Sequence, residues 1–129
     1  MQRPAQQMFH SDDRAPADAR RFVSAVLSAA GHGACVDDAQ LVTSELVTNA
    51  VNHTAAPTVE VSVALFDDHV RIEVVDTAEG VPQPQLGQPT AVGGLGLIVV
   101  EKIAQQWGVD PRVPGKAVWC VLPLGAGPE

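Results

Sequence analysis

Basic residues are scarce in this chain: 8 Lys plus Arg stand against 15 Asp plus Glu, for a formal net charge of -7. That balance lacks the basic footprint with which proteins grip nucleic-acid phosphates. It also argues against docking on an anionic membrane surface. Cysteine is rare, with 2 residues, Cys35 and Cys120, far apart in sequence. No CxxC, HxxxH or HExxH spacing occurs, so no zinc site is expected. The two thiols read as reduced and largely buried. No window approaches the roughly 20 apolar residues of a membrane span, and the N-terminus lacks a charged-then-apolar leader. The protein is therefore expected to stay in the cytoplasm, away from membranes and without direct nucleic-acid contact.

The 129 residues, 46% of them hydrophobic, suit one domain around one core. Residues 1–14 are polar and leave two readings open, disorder or a short edge strand. The domain proper is expected over 15–124, with 125–129 a frayed tail. Phe22, Val23, Val26, Leu27 and Ala30 recur at helical spacing, and Gly31 supplies a stop. A second helix is predicted from near Asp37, with Asp37 as N-cap and Gln40 completing a capping box. Its apolar stripe is Val42, Leu46, Val47, Ala50 and Val51. Ser44, Glu45, Thr48, Asn49, Asn52 and His53 fall on another face. The period then drops to two over 58–66 and 70–76, around Asp67-Asp68-His69, which predicts an antiparallel hairpin. Residues 77–93 are rich in Gly and Pro and read as a long functional loop. Gly93 to Gly96 should open a third helix burying Leu97, Ile98, Val100, Ile103, Ala104 and Trp107. An irregular or edge strand near 108–113 and a final strand over 117–124 follow. This order predicts an α+β two-layer sandwich, with helices on one face of a mixed, mainly antiparallel sheet.

Three groups of residues have chemical potential. Glu45 and Asn49 stand four apart, so their side chains meet on one helix face. A carboxamide oxygen is a hard neutral ligand for Mg²⁺, and a carboxylate can orient or deprotonate a nucleophile. The same pair also describes an ordinary solvated helix face. Asp76 ends an apolar strand, where it can accept from an exocyclic amine or simply form a turn. Gly94 and Gly96 precede a helix, whose free N–H groups favour phosphate; taken alone, the motif is more often a packing turn. A dinucleotide fingerprint would need a strand directly before the glycines and a third Gly, and a P-loop would need Ser or Thr after Gly115-Lys116. Neither condition holds.

Order and spacing make the set specific. Glu45-Leu46-Val47-Thr48-Asn49-Ala50 resembles the N-box of the GHKL (Bergerat-fold) ATPases. Asp76-Thr77-Ala78-Glu79-Gly80 resembles their first glycine box, and Gly94-Leu95-Gly96-Leu97 the second. Trp107-Gly108-Val109 and Gly115-Lys116-Ala117-Val118-Trp119 resemble the closing strands of one branch, the anti-sigma-factor serine kinases. The resemblance covers roughly residues 15–124. It implies a histidine-kinase-like ATPase fold that binds ATP and Mg²⁺. Asn49 would be the metal ligand, Glu45 the catalytic base and Asp76 the reader of the adenine amine. Ala78 and Gly80 would line the base, and Gly94, Leu95, Gly96 and Leu97 would offer N–H groups to the phosphates. Residues 81–93 would form a lid. Two departures stand out: Ala78 replaces a glycine, and Ala117 replaces a common Thr that would sit near the base.

Two functions follow from the resemblance. One is a regulatory protein serine/threonine kinase that binds a sigma factor and phosphorylates a serine of an STAS-type anti-sigma antagonist. Phosphoryl transfer needs mainly positioning and charge neutralisation, which a base and a metal supply. The other is a non-catalytic ATP-sensing module that regulates a partner protein; retention of Glu45 favours the kinase. The branch also suggests a homodimer through the first helix and the sheet edge.

Overall fold

The computed structural model describes residues 4–53, 56–76, 98–112 and 115–124. Its elements are β1 (Ala5–His10), α1 (Ala15–Ala29), a single 3-10 turn (Gly33–Cys35), α2 (Val36–His53), β2 (Thr58–Leu65), β3 (His69–Asp76), β4 (Gln106–Pro111) and β5 (Lys116–Pro123). Residues 98–103 are also helical. The strands form one sheet in the order β1-β2-β3-β5-β4. The sheet was expected to be mixed; every pairing among the described residues is antiparallel.

The alternating runs fix which face of the sheet is covered. Val59, Val61 and Val63 of β2 lie opposite Asp76, Val74 and Ile72 of β3. Ile72 and Val74 in turn lie opposite Cys120 and Val118 of β5. Successive strand residues point to opposite faces, so this set shares one side. Apart from half-buried Val118, it is buried together with Val23 and Leu27 of α1 and Val42, Leu46 and Val47 of α2. Phe9 of β1 meets Phe22 of α1 edge to face at 6.1 Å, which docks the first strand under the first helix. The two-layer expectation therefore holds, and residues 5–10 form the edge strand rather than a disordered arm.

Local chemistry sets the helix ends. Pro16 sits in the first turn of α1, where its missing N–H is no loss. At the other end Gly31 has φ +84°, a conformation that favours glycine. The Gly31 N–H bonds the Ser28 carbonyl and the His32 N–H bonds the Leu27 carbonyl at 2.8 Å, a Schellman stop. The capping box expected at Asp37 does not form. The 3-10 turn leads straight into α2, so Asp37 lies inside its first turn, where it complements the helix dipole. The Gln40 amide instead donates to the Arg20 carbonyl of α1 at 3.4 Å.

The last part of the chain departs most from expectation. The third helix was expected to run through Trp107. Among the described residues helix ends at 103, and Trp107 lies in β4, paired with Cys120. Ile98, expected to be buried, is 47% exposed; Val100 is in the core. The helix start at Gly93 and the 77–93 loop lie outside the described residues.

The uncovered face of the sheet is polar with one aromatic centre. Trp119 of β5 lies over Gly108 of β4, and the Arg71 guanidinium stacks on its ring at 4.8 Å. Arg71 also approaches Asp110 at 3.8 Å, and Arg112 pairs with Glu73. A Cβ on Gly108 would fall 2.7 Å from the Trp119 ring. Gly108→Ala is therefore expected to destabilise the fold by about 1–3 kcal/mol, read as a lower urea midpoint at unchanged slope.

Both cysteines are free and buried. Burial pushes the Cys120 thiol up to about 12, against weaker opposing effects of the Ile72 backbone and Arg71. Burial also raises Cys35. A thiol raised by folding holds its proton where the unfolded chain has released it. Its contribution to stability is thus complete below the ordinary thiol value of about 8.5 and is lost as pH climbs toward the folded value. Urea unfolding at about pH 8 and about pH 10 should show an alkaline loss that Cys120→Val reduces.

Candidate functional site

The polar face of α2 owes its direction to the helix core beneath it. Val42, Leu46, Val47 and Ala50 are buried, which turns Glu45 and Asn49 to the half-buried flank. Ser44, the neighbour of Glu45, does not join them. Its hydroxyl accepts from Arg20 of α1 at 2.9 Å. Together with the Gln40 bond, this ties α2 rotationally to α1.

Asp76 closes β3 on the helix-facing side, in phase with Val74 and Ile72. It is only 3% exposed. A buried carboxylate demands partners, because an unpaired one is costly. One partner is Lys116, the first residue of β5, whose Cα lies directly opposite. The Lys116 Nζ donates to Asp76 Oδ2 at 2.8 Å, and the lysine side chain is itself only 12% exposed.

The sheet brings α2's C-terminal half and Asp76 to one end. After α2 ends at His53, β2 begins at Thr58, and Val59 pairs with Asp76. At 1.5 Å rise per residue, Asn49 lies about 6 Å and Glu45 about 12 Å from that helix end. A carboxamide, an accessible carboxylate and a buried carboxylate thus sit on the elements that meet at this end. Ala78, Gly80, Gly94, Leu95, Gly96 and Leu97 lie outside the described residues, so the glycine boxes have no placement to report. Ala117 was read as the loss of a polar contact near the base. It pairs with Val75 and so faces away from Asp76. Lys116 is the polar group that reaches this position, and the sequence reading missed it. The signal was available: Lys116 is in phase with Val118, Cys120 and Leu122, the inward residues of the strand.

A cleft of about 780 Å³ opens at the opposite end of the sheet, between Ala30 and His32 and the 65–69 turn. There Phe66 stacks on His69, whose ring nitrogen holds the Asp68 carboxyl below its ordinary value. It contains none of the expected site residues. Among the described residues, no group of three or more His, Cys, Asp or Glu side chains could hold a metal ion.

A helix-backed antiparallel sheet with these residues at one end defines a class. The family model of histidine kinase-, DNA gyrase B- and HSP90-like ATPases matches residues 35–126, and the chain belongs to that family. Within it, the chain is similar to the serine-protein kinase RsbW of Oceanobacillus iheyensis, 27% identical over 96 residues. That match covers 57% of this chain and 61% of the relative, so the chain spans less than two thirds of the relative's length. Among solved structures, the histidine kinase domain of a blue-light activated histidine kinase from Erythrobacter litoralis superimposes with a TM-score of 0.58. It is 18% identical, with 84% of this chain and 60% of that chain covered, a likeness of fold. Among the described residues, no helix is long and apolar enough to cross a membrane.

The buried pair has a thermodynamic signature. Lys116→Ala should cost about 3–5 kcal/mol, because Asp76 loses a buried partner. The Asp76→Ala, Lys116→Ala double variant should lose less than the sum of the singles by about 0.5–3 kcal/mol in urea unfolding.

Proposed function

We propose that this chain is an ATP-dependent protein serine/threonine kinase of the anti-sigma-factor type, working in the cytoplasm. It binds a sigma factor and phosphorylates a serine on an STAS-type antagonist. One observation carries the nucleotide reading: a buried carboxylate, Asp76, at the end of the sheet where α2 brings Asn49 and Glu45, in a chain of an ATPase family. The similarity to a serine-protein kinase supports the phosphoryl-transfer reading.

The residues present fit the group. An acceptor-only carboxylate suits the exocyclic amine of adenine, and its burial excludes competing water. Asn49 offers a neutral oxygen to Mg²⁺, and Glu45, partly exposed, remains reachable by a hydroxyl of a partner protein. Bound Mg-ATP would supply the phosphoryl group, with ADP as the leaving group and the metal neutralising charge. Glu45 would accept the proton of the partner serine. Ala78, Gly80, Gly94, Leu95, Gly96 and Leu97 are proposed to line the base and phosphates. The edge strand β1 and α1 are proposed to meet a second copy of the chain.

Mg-ATP at 100 times its Kd should stabilise the wild type by about 2.7 kcal/mol in a thermal-shift titration, and Asn49→Ala should reduce that gain. Absence of a shift in folded wild type would sink the ATP reading. Incubation with candidate antagonists, followed by phosphosite mapping, tests the kinase step. Glu45→Ala should abolish transfer while nucleotide still binds. Binding without transfer to any cognate partner, and with no change in Glu45→Ala, would instead point to a sensor.

A further inference from the structure

Lys116 has no part in the residue roles assigned so far, yet its position is unusual. A strand lysine ordinarily lays its stem along the surface and keeps its ammonium in water. This one starts β5 in the inward phase, and its ammonium turns to a carboxylate that is 3% exposed. A buried pair of this kind adds little net stability over an apolar pair of similar volume. Stability alone therefore does not account for it.

We propose that Lys116 is a positioning residue for base recognition: by holding Asp76 through Oδ2, it fixes the carboxylate in the orientation that accepts from the exocyclic amine of a purine. The proposal rests on the ATP reading above and deepens it. A carboxylate has about four lone-pair sites, so a bond from lysine and a bond from a base are compatible on one group. The Lys116 stem is held in turn by β5, whose register with β3 sets the two residues opposite each other. The recognition element is thus fixed by sheet pairing rather than by loop conformation. A purine with a carbonyl oxygen in place of the amine would set acceptor against acceptor. Sites built around such a hydrogen bond discriminate strongly, because the mismatched group is left unpaired. Without Lys116 the carboxylate loses one of its restraints, and the base contact loses alignment. The phosphates are common to ATP and GTP, so a change confined to base recognition alters the ratio of the two affinities.

Calorimetric titration of the whole chain with Mg-ATP and with Mg-GTP tests this, on wild type, Lys116→Met and Lys116→Gln, with folding checked by circular dichroism. Wild type should prefer ATP. Lys116→Met should weaken ATP by about tenfold to a hundredfold, the worth of one charge-assisted hydrogen bond, while GTP changes little. The ATP-to-GTP ratio therefore collapses. Equal weakening of both nucleotides, or an unchanged ratio in a folded variant, overturns the proposal and leaves a structural pair. If neither variant folds, the Lys116 ammonium resonance of ¹⁵N-labelled wild type decides: it should shift with Mg-ADP and stay put with Mg-GDP. No shift at saturating Mg-ADP overturns the proposal. Wild type that binds neither nucleotide defeats the ATP reading itself. Wild type that binds ATP and GTP alike defeats only the role assigned to Lys116.

Discussion

Pairing between β3 and β5 governs where everything else in this molecule can go. Val70, Ile72 and Val74 lie opposite Leu122, Cys120 and Val118, all on the helix-covered face. The next position in that phase is Asp76 opposite Lys116. A slip of one residue would turn the whole apolar row outward, and exposing each such side chain costs about 1.5–3 kcal/mol. The core therefore sets the register, and the register sets the polar pair. A charged pair that contributes little by itself is held in place by the register of valines and an isoleucine.

The two helices are indexed to each other by a few contacts of high specificity. Arg20 of α1 reaches across to Ser44 and, through its carbonyl, to Gln40. Apolar packing alone lets a helix roll somewhat about its axis, since Val and Leu contacts have no direction. Two hydrogen bonds one turn apart remove that freedom. They occupy the residue next to Glu45, so the inter-helix lock and the candidate base share one turn of α2.

Much of this architecture was legible in the sequence where period and burial agree. The alternation in 58–66 and 70–76 gave β2, β3 and their inward faces, and the stripe from Val42 to Ala50 gave the buried side of α2. The misreadings have physical causes. Ile103, Ala104 and Trp107 continue a helical spacing, so periodicity saw no end to the third helix. Pairing with β5 decided the matter, beginning where the Gln105 N–H bonds the Val121 carbonyl. Asp37 looked like a cap because a capping residue and a first-turn acid share a composition; the 3-10 turn before Val36 is a geometric fact that composition does not carry. At the site, Glu45, Asn49 and Asp76 were named from motif order. Lys116 was passed over because the motif drew attention to its neighbour Ala117, although strand phase pointed inward at the lysine.

The stacking of Arg71 on Trp119 has a consequence for how this protein can be watched. The chain has 2 Trp and no Tyr. Trp107 and Trp119 are on β4 and β5, one strand pair, and face opposite sides of the sheet. The near-ultraviolet emission of the whole chain is therefore the emission of a single ribbon. One indole reports the layer beneath the helices, and the other reports a guanidinium resting on the open face.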